Sequence, residues 1–323
     1  MTIQTIQQLQ LMQNGRVLTI AINNPPANFL TTDIMIALNT LLIELEKRTD
    51  IGSVIITGAV EGVFLTHFDV NDIERAVESI PFAMSVGLVK TLTRTENTLN
   101  HVPYTRKLLR YTPMAGVSDM NIFHEVTARM RAMDKVFIAA INGRAMGAGC
   151  ELALACDFRL MADGAIEDGI IIGQPEALLG LIPGGGGTQM LTRSIGAFKA
   201  LEHCLEARPI SAANALSLGI VNQLVVPNRL LIEARTLAER MARRSPFAIK
   251  GIKNTVYQAA TQTLDCGMEV EKNTFLAAAS QPNTRLAMQY YIAKVRALID
   301  SGEPWKIDDF QELINGTAAN MTA

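Results

Sequence analysis

No stretch of this sequence offers about twenty consecutive apolar residues, the length a membrane-spanning helix needs. The N-terminus, Met1-Thr2-Ile3-Gln4, also lacks a basic segment followed by a long apolar run. Neither a membrane span nor a secretory leader is expected, and the reading is a cytoplasmic protein. Cysteine is scarce: Cys150, Cys156, Cys204 and Cys266 have no C-x-x-C spacing and no matching histidine pair, which excludes a disulfide framework or a zinc site. The histidines, His67, His101, His124 and His203, are equally scattered, so no metal is expected. An excess of one charge is missing too. The formal net charge is -2 and no segment combines dense Lys/Arg with aromatics, so the footprint of a dedicated nucleic-acid binder is absent. A small molecule is the expected partner. There is no repeat at fixed period and no low-complexity tract.

What is present is apolar. Hydrophobic residues make up 49% of the chain and charged ones 19%, the balance of a packed globular protein. A length of 323 residues suits a main core with a smaller appended lobe. Arg16 to Asn24 reads as a strand ending at Pro25-Pro26. Thr31 or Thr32 then caps a helix with Ile34, Leu38, Leu41, Leu42 and Leu45 at helical spacing. Ser53 to Thr57 and Val136 to Ile141 read as further strands, and parallel strands with crossover helices fit this order best. Ile73 to Asp134 reads as mostly helical. Its Arg106, Lys107 and Arg110 could meet phosphates or form a solvated helix face. Beyond residue 210, Ser211 caps a short helix ended by Gly219, and Val221 to Val226 forms a last strand. Leu230, Ala234, Leu237 and Met241 mark an amphipathic helix, with three more helical stretches reaching Ser301.

The densest chemical signal is Ile138-Ala-Ala-Ile-Asn-Gly-Arg-Ala-Met-Gly-Ala-Gly-Cys-Glu-Leu-Ala-Leu-Ala-Cys-Asp157. An apolar strand runs through Gly143, Gly147 and Gly149 into a helix expected to begin near Cys150. Small residues let a ligand approach the backbone closely. A helix N-terminus directs free N–H groups outward, which suits an oxygen that turns negative during reaction. Ala148 N–H is the candidate donor. A nucleotide site is not indicated: neither a P-loop nor a dinucleotide fingerprint occurs, and no lysine follows Pro183-Gly-Gly-Gly-Gly187. Further along, Glu176 stands in the apolar stretch Ile172 to Gly180. A carboxyl in such surroundings has a raised pKa and becomes useful for moving protons near neutral pH. Glu151 and Glu176 are the candidate acid–base groups.

The segments Ala140 to Asp157 and Gly173-Gln-Pro-Glu-Ala-Leu-Leu-Gly-Leu-Ile-Pro-Gly-Gly-Gly-Gly-Thr-Gln189 closely resemble the crotonase superfamily, the enoyl-CoA hydratase/isomerase family. Ile210-Ser-Ala-Ala-Asn-Ala-Leu-Ser-Leu-Gly-Ile-Val-Asn222 and the helical tail look like family segments as well. The resemblance implies an α/β fold, a crotonase-like spiral of repeated ββα units, with a C-terminal helical region. The core would span 1–228, with a long, mostly helical insertion at about 73–134, and the helical region 229–323. A homotrimer or dimer of trimers is also implied. The substrate would be an acyl-CoA or acyl-carrier thioester, with CoA or pantetheine entering as part of it and no separate cofactor. Its carbonyl would be held by two backbone N–H groups, Ala148 and, in Phe64-Leu-Thr-His-Phe-Asp-Val70, Phe68. Glu151 and Glu176 would together activate water and protonate the α-carbon. His67, Gly147 and Gly184 would line the site, and Lys250 and Lys253 could touch the CoA phosphates.

The chain departs from the family pattern in three places. His67 stands where glycine is usual, and Phe68 where a small residue is usual. Ile166-Glu-Asp-Gly-Ile170 looks inserted between the two glutamates, and the stretch 73–134 is longer than usual. Hydration of a conjugated thioester is the first functional reading, because retention of both glutamates favours it. A second is isomerisation, decarboxylation or hydrolytic carbon–carbon cleavage of a related thioester or diketone. A third is a binding subunit that has lost catalysis.

Overall fold

The structure, a computed structural model, describes residues 3–6, 8–78, 80, 82–99 and 115–322. His101, Arg106, Lys107 and Arg110 lie outside the described residues. The strands are β1 (Ile3–Ile6), β2 (Leu9–Asn14), β3 (Val17–Ile22), β4 (Ser53–Gly58), β5 (Val63–Leu65), β6 (Val136–Ile141), β7 (Arg144–Met146), β8 (Phe158–Ala162), β9 (Ile171–Gly173), β10 (Ile210–Ser211) and β11 (Gln223–Val225). They form two sheets, ordered β1-β2-β3-β4-β6-β8-β11 and β10-β9-β7-β5.

The larger sheet opens with an antiparallel pairing of β1, β2 and β3 and continues parallel from β3 to β11. Its parallel strands are covered on both faces, which is why β4 and β6 are apolar runs instead of alternating patterns. From β4, β6 and β8 the chain steps into β5, β7 and β9 of the smaller sheet, which are parallel to one another. Each short strand then leads into helical chain: Val70–Glu78, Ala148–Ala155, and a 3-10 turn at Glu176–Leu179 followed by Gly187–Ile195. The result is a spiral of ββα units. β11 falls within the last strand expected at Val221 to Val226; the antiparallel β1–β2 edge and the three-residue strands β5, β7 and β9 were not anticipated, since strands of three residues carry no readable period and the edge is defined by its pairing.

Local signals were obeyed where they were strong. Thr31 caps the helix Thr32–Leu45, its side chain accepting from Ile34 N at 3.3 Å, and Ile34, Leu38, Leu41, Leu42 and Leu45 are buried. Ser211 caps Ala212–Ser217 by accepting from Asn214 N. In the 73–134 stretch the described helices include Val86–Leu99 and Ala115–Ala132. The latter packs beside Thr32–Leu45 through buried Ile122, Val126 and Met130. Arg129 donates to Asn39 Oδ1 (3.0 Å), and Asn39 donates to Glu125 (3.1 Å).

From Leu230 onward the chain is helical apart from short connections. Leu230–Met241 lays Leu230, Ala234 and Ala238 on the larger sheet. Pro246–Ala259, Leu264–Ala279 and Pro282–Ser301 follow. Among the described residues no helix is long and apolar enough to cross a membrane.

One expected phosphate contact is corrected here. Lys253 is only 7% exposed, and its ammonium donates to Met130 O (2.7 Å), Lys135 O (2.7 Å) and Asp157 Oδ2 (2.8 Å). An ammonium has three N–H donors, and all three are spent inside the fold. Burial lowers its pKa, and the Asp157 carboxylate, itself bonded by Tyr257 OH and Phe137 N, pulls the other way. Lys253 therefore pins Pro246–Ala259 to the core. Lys250 is exposed. Replacing Lys253 by Met strands a buried carboxylate and two carbonyls, and should cost about 3–5 kcal/mol in denaturant unfolding. Lys250→Ala should stay within about 0.5 kcal/mol in the same measurement.

Candidate active site

The apolar strand β6 ends at Asn142, whose side chain accepts from Gly58 N and donates to Val60 O, tying it to the end of β4. The chain then forms β7 and turns at Gly147, which has φ +50° and donates its N–H to Gly173 O at 2.8 Å. The helix begins at Ala148, two residues earlier than expected, and is buried along its whole length. Glycine is required at 147 for two reasons. An L-residue disfavours that φ, and a Cβ there would sit 2.8 Å from Glu176 Oε1 and 3.3 Å from His67 Cβ. Both side chains therefore lean over this turn.

The second strand-end turn lies alongside. β5 runs parallel to β7, Met146 N donates to Thr66 O (3.2 Å), and Phe68 follows Thr66 by two residues just as Ala148 follows Met146. Phe68 forms a parallel bridge with Leu30: Leu30 N donates to His67 O (2.9 Å) and Asp69 N to Leu30 O (2.8 Å). On the other side, Glu151 N donates to Gly147 O at 2.9 Å. The carbonyls of the two peptides that carry Phe68 N–H and Ala148 N–H are thus tied down. Among the described residues neither of these N–H groups has a protein acceptor. Both lie at the carboxyl ends of parallel strands, where open α/β sheets take their ligands.

Glu151 occupies the first turn of Ala148–Ala155 and is 4% exposed. Its Oε1 accepts from Gly185 N (2.7 Å) and Gly187 N (2.8 Å), the latter at the start of the helix Gly187–Ile195. A Cβ at Gly185 would overlap both the Phe123 ring and Glu151 Oε2, so only glycine lets the loop close on the carboxyl. Burial pushes the Glu151 pKa up to about 7; the two amides oppose this and the Glu176 charge adds to it. Glu176 opens the 3-10 turn after Pro175, and its pKa is also raised by burial. The Gln174 amide, 1% exposed, donates to both Glu176 oxygens at 3.2 Å when its nitrogen faces them.

Phe68, Ala148, Gly147, His67 and Glu176 meet at one pair of turns, and Glu151 is joined to them through its own helix and the Gly184–Gly187 loop. Gly184 O is bonded by His124 Nε2 (2.8 Å), and Met120 covers the glycine. Lys250 and Lys253 stand apart, bordering a cleft of about 480 Å³ with Arg131 and Tyr257. A cavity of about 870 Å³ between the core and the C-terminal helices contains neither glutamate. Sequence reasoning missed Gln174, the Gly185 and Gly187 amides, and the wall formed by Met120, Phe123 and His124. Gln174 could have been found, since it is as unusual in its apolar stretch as Glu176. Asn28 was missed as well. It is buried, its side-chain amide donates to Phe64 O (2.7 Å) and its backbone carbonyl accepts from Thr66 N (3.2 Å), setting the start of the Phe68 turn.

A family model described as Enoyl-CoA hydratase/isomerase matches residues 116–299, more than half of the chain. The chain is 30% identical over 285 residues to a short-chain-enoyl-CoA hydratase of Clostridium acetobutylicum, covering 88% of this chain and 94% of the relative. It is also 30% identical over 283 residues to a probable mitochondrial enoyl-CoA hydratase of Dictyostelium discoideum, covering 87% of each. A solved enoyl-CoA hydratase structure from Bacillus anthracis matches with a TM-score of 0.70 at 26% identity, over 89% of this chain and 97% of that one. Sequence, fold and the paired turns converge: this chain is an enzyme of the enoyl-CoA hydratase/isomerase family.

Proposed function

We propose that the protein adds water across the conjugated double bond of an acyl-CoA thioester. The observation that carries this reading is the presence of two carboxyls whose pKa is raised by burial, Glu151 deeply buried and Glu176 half-buried, beside two backbone amides with no protein acceptor among the described residues. In the proposed reaction the thioester oxygen accepts from Phe68 N–H and Ala148 N–H. As water oxygen bonds to the β-carbon, one carboxylate takes the water proton and electron density moves onto the thioester oxygen as an enolate. The other carboxyl then returns a proton to the α-carbon. Donors already aimed at the developing charge cost no reorganisation during the step. An isomerase or decarboxylase would need only one proton carrier, so two acids near enough to influence each other's charge favour hydration. CoA as the carrier follows the named relatives. Lys250, with Arg131 across its cleft, is retained as a contact for CoA phosphates.

We further propose assembly into trimers or pairs of trimers. Phe198 is 90% exposed, and Leu201, Leu205, Leu178 and Ile182 are exposed with it. The helix Ala197–Glu206 carries three of them and packs on the 3-10 turn that begins with Glu176. An apolar surface of this kind marks an interaction site. A cytoplasmic location is proposed on the same footing, from the sequence.

The direct assay is loss of conjugated-thioester absorbance with crotonyl-CoA and longer 2-enoyl-CoA substrates. Glu151→Gln and Glu176→Gln should each lower kcat by about 10²–10⁴-fold; no absorbance loss by the wild type at any chain length would remove the hydration reading. Hydration also needs one carboxylate and one carboxyl in the free enzyme. Below the lower pKa of the pair no base remains, and above the upper one no acid remains. The profile of kcat/KM should therefore be bell-shaped, falling as pH rises through about 7. A profile flat from pH 5 to about 9 would contradict the assignment. Light scattering on purified protein should give three or six chains per particle, and Phe198→Asp with Leu205→Asp should shift it toward one.

A further inference from the structure

His67 stands between the two turns. Its Cβ lies 3.3 Å from the point a Gly147 Cβ would occupy, its ring packs tilted against Phe29 at 4.9 Å between centroids, and its Nδ1 is 2.7 Å from Phe68 O. A carbonyl oxygen can only accept, so Nδ1 carries the proton in that bond. A neutral imidazole protonated on Nδ1 has only a lone pair on Nε2 and no proton to offer there.

The hydrogen bonds around Phe68 give this contact its meaning. The two peptides flanking the residue present four polar groups. His67 O is held by Leu30 N, Asp69 N by Leu30 O, and Phe68 O by His67 Nδ1. Phe68 N–H is the one left for a ligand among the described residues. Without the imidazole, Phe68 O would be a loose acceptor beside a site meant to hold a negative oxygen, and the Phe68 peptide would be held on one side only.

We propose that His67 is a positioning residue that sets the spacing and direction of the two oxyanion amides: Nδ1–H locks the Phe68 carbonyl while Cβ wedges against the Gly147 turn. The inference rests on the oxyanion role proposed for Phe68 and Ala148. It gives His67 a task in holding the turn, separate from the proton transfers assigned to the two glutamates. It also accounts for a bulky residue where backbone turns usually need a small one, because the ring supplies a hydrogen bond that the turn would otherwise lack.

Three variants separate the roles. In His67→Asn the carboxamide nitrogen reaches the position of Nδ1, in His67→Gln it reaches that of Nε2, and His67→Ala has neither. The readouts are kcat and KM for enoyl-CoA hydration, and the absorption band of bound 4-dimethylaminocinnamoyl-CoA, which moves to longer wavelength as its carbonyl is polarised. The wild type should show the band shift. His67→Ala and His67→Gln should lose most of it, with kcat lower by about 10–10²-fold and KM within about threefold, since a misaligned donor costs less than a deleted one. His67→Asn should recover most of the loss. An unchanged band in His67→Ala overturns the inference, as does rescue by Gln instead of Asn. If the wild type shows no band shift, the oxyanion reading itself fails and takes this inference with it; a wild-type shift that survives in every variant sinks the inference alone. Nitrogen-15 NMR of the wild type tests the same point without mutation: a proton on Nε2 and none on Nδ1 of His67 overturns it.

Discussion

A carboxylate taken out of water must be solvated by the protein, and for Glu151 that duty falls on the amides of Gly185 and Gly187. Hydrogen bonds to a charged group are worth about 1.5–3 kcal/mol each, while leaving such a group buried and unpaired costs more. The arrangement explains several features together. The loop after Pro183 has to be glycine where it folds over the carboxyl, because a Cβ at Gly185 has no space. The helix Gly187–Ile195 starts where its first N–H can reach Glu151. The helix Ala115–Ala132 closes the same spot with Phe123, and the resulting dryness moves the Glu151 pKa into the range where a carboxyl can both give and take a proton.

The second constraint is the parallel pairing of β5 and β7. Two strand ends side by side deliver two adjacent turns, and each turn leaves one amide without an acceptor among the described residues after its carbonyl has been tied to Leu30 or to the following helix. Rigid carbonyls make rigid amides, since the peptide is planar. The proposed reaction needs donors that do not move while charge develops, and the sheet supplies the frame for that rigidity while the His67 imidazole braces the Phe68 carbonyl. Glu176 enters from the third unit of the spiral, over Gly147, with Gln174 steadying its carboxyl. Three successive ββα units thus meet at one point.

The C-terminal helices serve a different purpose. Pro246–Ala259 is anchored by the Lys253–Asp157–Tyr257 network, whereas Leu264–Ala279 and Pro282–Ser301 have no buried residue and keep Leu264, Phe275, Leu276, Leu286 and Ile299 exposed. Apolar faces of this extent on a single chain call for a covering surface. That fits the proposal that the working enzyme is an assembly.

By itself the sequence determined the local pieces: the apolar parallel strands, the Thr31 and Ser211 caps, the strand–glycine–helix turn at Gly147 and the two glutamates in apolar settings. These follow from side-chain period, capping chemistry and the cost of placing an acid among apolar neighbours, all of which act over a few residues. The three-residue strands β5, β7 and β9 were illegible because they exist only through pairing with one another across distant chain, and the antiparallel edge because nothing in its residues marks the pairing. Lys253 looked like a phosphate ligand because a lysine on a helix carries no mark of burial, and only the approach of Asp157 and two carbonyls consumed its donors. The partners of Glu151, the bracing of Phe68 by Leu30 and His67, and the wall formed by Phe123 likewise join residues far apart in sequence. They were decided by tertiary structure, because hydrogen bonds and close contacts between separate segments depend on distances in space.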